Sequence, residues 1–130
     1  MHITIGNAAT QNSVFKGWFI GPLQNWAAGQ KAEAAPFGLR ESAVVEMKWG
    51  VHSAGETRSE WAPCSDQTTI SLLVRGRFLV RFRSSRDQSR IVEQRLSREG
   101  DYAIWGTDVE HTWMAEKDSV IVTVRWREQP

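Results

Sequence analysis

From Ser42 onward the chain runs as short segments in which apolar and polar residues alternate with a period of two, divided by Gly, Ser, Asp and Pro. Strands are predicted over residues 43–52, 68–74, 77–83, 90–96, 101–105, 111–115 and 119–126. No helical periodicity competes after residue 40, which disfavours parallel βαβ architectures and leaves an all-β sandwich or barrel. The Arg75-Gly76 pair predicts a two-residue hairpin spanning residues 68–83, with Phe78, Val80 and Phe82 inward. Glu116-Lys117-Asp118 predicts a second tight connection.

The division of the chain follows from where this pattern begins. Residues 1–40 read as an N-terminal arm and connector, and residues 41–130 as one barrel domain. With 130 residues the chain buries about two thirds of its unfolded surface around a single core. The arm holds Phe15, Trp18, Phe19, Ile20, Leu23 and Trp26, then an Ala/Gly/Lys/Glu stretch over 27–38 with room for a short helix. Its aromatic cluster is too apolar to stand free in water, so it is expected to cover the barrel or a partner subunit. A two-fold homodimer is the expected assembly.

Charge and cysteine usage exclude several classes. The formal net charge is +1, which gives no basic field for nucleic acid or an anionic membrane. The stripe Arg77, Arg81 and Arg83 reads as a solvated or edge-protecting face. A lone Cys64 cannot form an internal disulfide, and no signal-peptide pattern or long apolar window is present, so a soluble cytoplasmic protein is expected. Gly-rich phosphate loops, a Gly-x-Ser-x-Gly elbow and a Cys-x-x-Cys pair are missing.

Candidate site residues come from strand faces. In the segment 43–52, Glu46, Lys48, Gly50 and His52 share one face, and Val45, Met47, Trp49 and Val51 the other. The polar face either meets water or lines a cavity, and periodicity does not decide between them. In the last strand, Ser119, Ile121, Thr123 and Arg125 alternate with Val120, Val122, Val124 and Trp126. Trp105 and Trp113 flank His111, and Trp113 shares its alternating face. Glu46, Lys48, His52, His111 and Arg125 are thereby candidates for one polar floor beside aromatic walls.

With these strands in place, the run from Gly100 to His111 resembles the second motif of the cupin superfamily. Gly100 opens a strand, five residues follow, then the turn Gly106-Thr107-Asp108, two residues, and His111. The strand Lys48-Trp49-Gly50-Val51-His52 and the final Thr123-Val124-Arg125-Trp126 also resemble small stand-alone cupins. The resemblance implies a double-stranded jelly-roll barrel and places His111 at a metal-ligand position. It departs in the first motif, where a His-x-His pair and a glutamate should precede a glycine. With Gly76 as that glycine, the glutamate position holds Thr69, and the histidine positions fall on Ala62 and Cys64 or on Pro63 and Ser65.

Three of the four family ligands are therefore absent, and the expectation is a barrel that binds a small, anionic organic molecule without the usual metal. Lys48 and Arg125 would hold the anion while His111 or His52, ordinarily titrating near pH 6.5, exchanged protons in an isomerase or lyase type of step. Two other readings stay open. One is a non-catalytic ligand-binding module. The other is a metal-dependent enzyme with substitute ligands drawn from His52, Glu46, Glu56, Cys64 and Asp66.

Overall fold

A computed structural model describes residues 1, 3, 5–10, 15–26 and 40–128. Among these residues the chain forms β1 (Trp18–Gly21), a one-turn helix α1 (Leu23–Trp26), β2 (Arg40–Glu41), β3 (Val45–His52), β4 (Thr57–Ala62) and β5 (Thr68–Arg75). There follow β6 (Phe78–Ser84), β7 (Ile91–Leu96), β8 (Tyr102–Trp105), β9 (Val109–Ala115) and β10 (Ser119–Trp126). They build two sheets, one of six strands in the order β2-β1-β3-β10-β5-β8 and one of four in the order β4-β9-β6-β7. No helix among the described residues is long and apolar enough to cross a membrane.

Every strand expected from periodicity is present within two residues at each end. Three strands were not anticipated, among them the two-residue β2, which runs parallel to β1. β4, Thr-Arg-Ser-Glu-Trp-Ala, is exposed along its first four residues and so carries no apolar alternation. β1 lies inside the arm, antiparallel to β3, with Trp18 opposite Lys48 and a register shift before Ile20. The stretch 27–38, where a short helix was envisaged, lies outside the described residues.

The hairpin expected over residues 68–83 is not formed. β5 hydrogen-bonds to β10 and β8, whereas β6 hydrogen-bonds to β9 and β7, so Arg75-Gly76 carries the chain from one sheet to the other. The 116–118 connection crosses back at the same corner, and the two crossings are tied together. The Arg77 amide donates to Ser119 Oγ at 3.1 Å. Gly76 lies so close that a Cβ there would sit 2.3 Å from Ser119 Oγ and 2.5 Å from the Asp118 carbonyl, and its φ of 107° belongs to the region glycine favours. The chain does bend at Gly76, but packing between the two crossings, not hairpin geometry, sets its course.

The apolar core sits between the sheets where Leu73 and Ile121 of one meet Phe78, Val80, Leu96 and Ala115 of the other, all at most 4% exposed. Phe78, Val80 and Phe82 do point inward, with Phe82 packed on the edge of this cluster. The six-stranded sheet also has a second apolar face. Across the ladder Ile104–Ile70–Val124–Met47 and its neighbour Tyr102–Leu72–Val122–Trp49, the outward side chains are uncharged.

Candidate functional site

Beyond the apolar core the interior of the barrel turns polar. The inward positions of β3, β10 and β5 are paired in register: Lys48 with Thr123, His52 with Ser119, and Thr123 in turn with Ser71. Ser71 and Thr123 hydroxyls lie 2.9 Å apart. These side chains face Phe78, His111 and Trp113 from the opposing sheet and enclose a cavity of about 100 Å³. Arg58 of β4, Trp18 of β1, Thr69 and Trp105 complete its wall with Arg125.

The structure thus brings together Lys48, His52, His111, Arg125, Trp105 and Trp113, six of the seven site candidates named from sequence. Glu46 is on the same face of β3 but not on the cavity wall; it is buried, and the Gln67 amide donates to its carboxylate. Several wall residues had escaped notice, Ser71 among them. Arg58 sits on the strand that lacked alternation, Thr69 was seen only as a missing ligand, and Trp18 was read as part of a covering arm. Trp18 lies 4.3 Å from the Arg125 guanidinium and 5.8 Å from Lys48 Nζ, measured to its ring centre, so the arm supplies the aromatic lid over both cations.

A gap in the floor exists because residue 50 is glycine. Gly50 stands between Lys48 and His52 on the inward face, and a Cβ there would lie 3.0 Å from His52 Nε2. The His52 ring is wedged against Trp113, with centroids 4.6 Å apart, and Phe78, at 5.4 Å. Its Nδ1 is 2.5 Å from Glu56 Oε2, just beyond the turn that follows β3. An imidazole held this way by a carboxylate has a fixed orientation, with Nε2 turned toward the gap beside Lys48.

The electrostatics favour a negative visitor. Among the described residues, Lys48, Arg58 and Arg125 line the cavity together with no Asp or Glu. Burial lowers the Lys48 pKa, and neighbouring Arg125 lowers it further. Burial likewise lowers that of Arg125. His111, tilted against Trp105 at 4.9 Å, has its pKa lowered to about 4 by burial first and then by Arg58 and Arg125. It is therefore neutral at pH 7. That corrects the expectation that His111 exchanges protons near neutrality; its surroundings suit it to hydrogen bonding.

A divalent metal fits this site badly. Ala62 stands opposite His111 in the β4–β9 ladder and Thr69 lines the cavity where the first motif would place a carboxylate. Of the substitute ligands only His52 and Glu56 lie together, at 2.5 Å; Cys64 is exposed, Asp66 is ion-paired to Arg127 at 2.9 Å, and Glu46 is bound to Gln67. Among the described residues no three of His, Cys, Asp and Glu come together. Three cations at the cavity add repulsion to the missing donors.

No protein-family model matches the sequence, and no curated protein matches it. Solved structures do. A cupin superfamily protein from Desulfitobacterium hafniense superposes with a TM-score of 0.56 at 17% identity, covering 69% of this chain and 73% of that one. KdgF from Halomonas sp. gives 0.54 at 18% identity, covering 68% and 74%. The capsular polysaccharide assembling protein CapF from Staphylococcus aureus gives 0.50 at 22% identity over 65% of this chain, which spans only 23% of CapF.

Proposed function

The chain has the cupin jelly-roll fold, and from that premise we propose that its barrel binds a small organic acid, with His52 and Glu56 as a proton-transfer pair beside it. The observation that carries this reading is that, among the described residues, three cations and no carboxylate line the cavity wall. Burying charge is costly, and an anion between Lys48 and Arg125 would offset that cost. A volume of about 100 Å³ is well below the roughly 300–1,000 Å³ of drug-sized sites. The ligand is then a carboxylate of a few heavy atoms, or the acid end of a larger molecule that extends past Arg58 and Trp18.

The chemistry assigned to this arrangement is proton movement next to a bound carboxylate. Glu56 accepts from Nδ1, so the Nε2 lone pair of His52 is available to take a proton from a carbon or hydroxyl lodged over Gly50. Lys48 would stabilise the negative charge that develops, and neutral His111 and the Ser71 and Thr123 hydroxyls would hydrogen-bond the ligand. An isomerase or a lyase step both begin this way. If the pair only orients the ligand, the protein is a binding module with the same site.

Titration calorimetry with a panel of small 2-oxo and hydroxy carboxylates tests both levels. At least one acid should bind, and Lys48→Met and Arg125→Met should each weaken it tenfold or more, since charged hydrogen bonds contribute about 1.5–3 kcal/mol. Wild type and both variants responding alike to every acid would remove the reading. For the acid that binds, NMR in deuterated buffer should show exchange of its carbon-bound protons, lost in His52→Gln. Binding without exchange would leave the non-catalytic module.

A further inference from the structure

Arg58 differs from the other two cations of the cavity in what it meets, and we propose that it binds a second anionic group on the ligand, so that the molecule taken into the barrel is an acid with two anionic ends. This rests on the reading of the cavity as an acid site and narrows its ligand. Lys48 and Arg125 each have a carboxylate in their field, Glu56 and Glu46, and both carboxylates are held, Glu56 by His52 and Glu46 by the Gln67 amide. The Arg58 Nε instead donates to the backbone carbonyl of Glu60 at 3.3 Å, a neutral acceptor on its own strand. A guanidinium carries five donors in a fixed fork that matches a carboxylate or a phosphate, and one long bond to a carbonyl uses little of it.

Its place on the wall puts it at the mouth. Arg58 is exposed, whereas Lys48 and Arg125 are half-buried. Arg58 pairs with Trp113 in the β4–β9 ladder and the next pairing is Ala62 with His111, so residues 59–61 of β4 bow out over Thr112 alone. Beside this bow, Arg58 and Trp113 line both the cavity and an outer hollow of about 390 Å³. Thr57, Ser59 and Thr112 edge that hollow together with Arg81 and Glu93, so a ligand end lying on Arg58 stays in polar, wet surroundings. A charged end keeps much of its solvation there.

The field inside the barrel points the same way. Behind burial in each case, the Arg58 charge lowers the pKa values of His111, Arg125 and Lys48, and at His111 it comes ahead of Arg125. One guanidinium at the mouth therefore acts on the whole cavity. A single carboxylate between Lys48 and Arg125 leaves that guanidinium without an anion, and a second anionic group in line with the first supplies one. With only about 100 Å³ inside, the far end of even a short diacid comes out at the mouth.

Titration calorimetry on the full chain with skeleton-matched pairs of acids separates this inference from the reading beneath it. Succinate against butyrate, 2-oxoglutarate against 2-oxopentanoate, and phosphoglycerate against glycerate differ only at the far end. In at least one pair the member with two anionic groups should bind tenfold or more tighter, in keeping with a charged hydrogen bond. The pair that shows it tells a carboxylate from a phosphate. Arg58→Met should erase the preference, whereas Lys48→Met should weaken both members of the pair. Matched acids that bind alike to wild type, or a preference that survives Arg58→Met, overturn the inference and leave the acid site standing. No binding by either member of any pair removes the acid site and the inference together. The wild-type comparison involves no substitution, so it decides even where a variant disturbs the fold.

Discussion

The two sheets of this barrel sort polarity in opposite senses. The four-stranded sheet turns Phe78, Val80, Leu96 and Ala115 inward and the Arg81–Glu93 and Arg83–Glu110 pairs outward. The six-stranded sheet has Leu73 and Ile121 in the core, but along the rest of its inner face it carries Lys48, His52, Thr69, Ser71, Thr123 and Arg125, and its outer face is apolar along the ladders Ile104–Ile70–Val124–Met47 and Tyr102–Leu72–Val122–Trp49. Polar residues thus mark the face that meets the cavity, and apolar residues mark two different things, the core and an uncovered surface. Side-chain polarity reports what a face touches, not whether it is inside.

Matched truncations put the contrast to its hardest test. Leu96 is 1% exposed in the core of the four-stranded sheet, and Leu96→Ala should cost about 2–5 kcal/mol of unfolding free energy. Ile104, on the outer face of the six-stranded sheet and 55% exposed, should cost less than about 1 kcal/mol as Ile104→Ala, because its methyl groups already meet water. Urea unfolding of both variants checks the pair. Equal losses would mean that the outer face is packed within the monomer and that the two sheets do not differ.

The inner face is probed by pH. His111 titrates at about 4 in the fold against an ordinary value of 6.5, so above pH 6.5 it is neutral whether folded or not. As pH falls from 6.5 toward 4, the unfolded chain takes up a proton that the folded one refuses. Stability should drop over that window by up to about 3 kcal/mol, with no further loss from this group below it. Asp66 and Asp101, whose pKa values are lowered by hydrogen bonds from Arg127 and from the Ser97 and Arg98 amides, also lose stability in acid. The difference between wild type and His111→Gln isolates the imidazole: denaturant midpoints of the variant should be flatter between pH 6.5 and 4. Parallel curves would place His111 in water, and the polar lining would no longer be an interior.

Much of this was legible in the sequence, and the failures have physical causes. Alternation placed Glu46, Lys48 and His52 on one face and, in the last strand, Thr123 and Arg125 on another, because a strand's period of two is rigid. It left open whether those faces looked in or out, which depends on closure of the barrel. β4 was missed since an exposed strand needs no apolar stripe, and Arg58 was lost with it. Trp18 was noticed only as bulk, because its role depends on a pairing with β3 across some thirty residues of chain. The neutral state of His111 is likewise set at long range, by burial in the closed barrel first and then by Arg58 and Arg125 arriving from distant strands.

The smallest effect concerns the outer face of the four-stranded sheet. Arg81 and Glu93 are joined at 2.9 Å with side chains 49% and 51% exposed. Water screens such a pair and ordering two long side chains opposes it, so a double-mutant cycle of Arg81→Ala and Glu93→Ala should give a coupling of about 0.2–1 kcal/mol. Salt at 1 M, where the screening length is about 3 Å, should erase most of it. The pair's service lies elsewhere: β7 is a sheet edge, and charge along it keeps another strand from adding there. A coupling above about 2 kcal/mol that ignored salt would mean the pair is shielded from water by a neighbouring molecule. The outer face of the four-stranded sheet would then be an interface, and its charge would no longer mark it as the sheet finished for water.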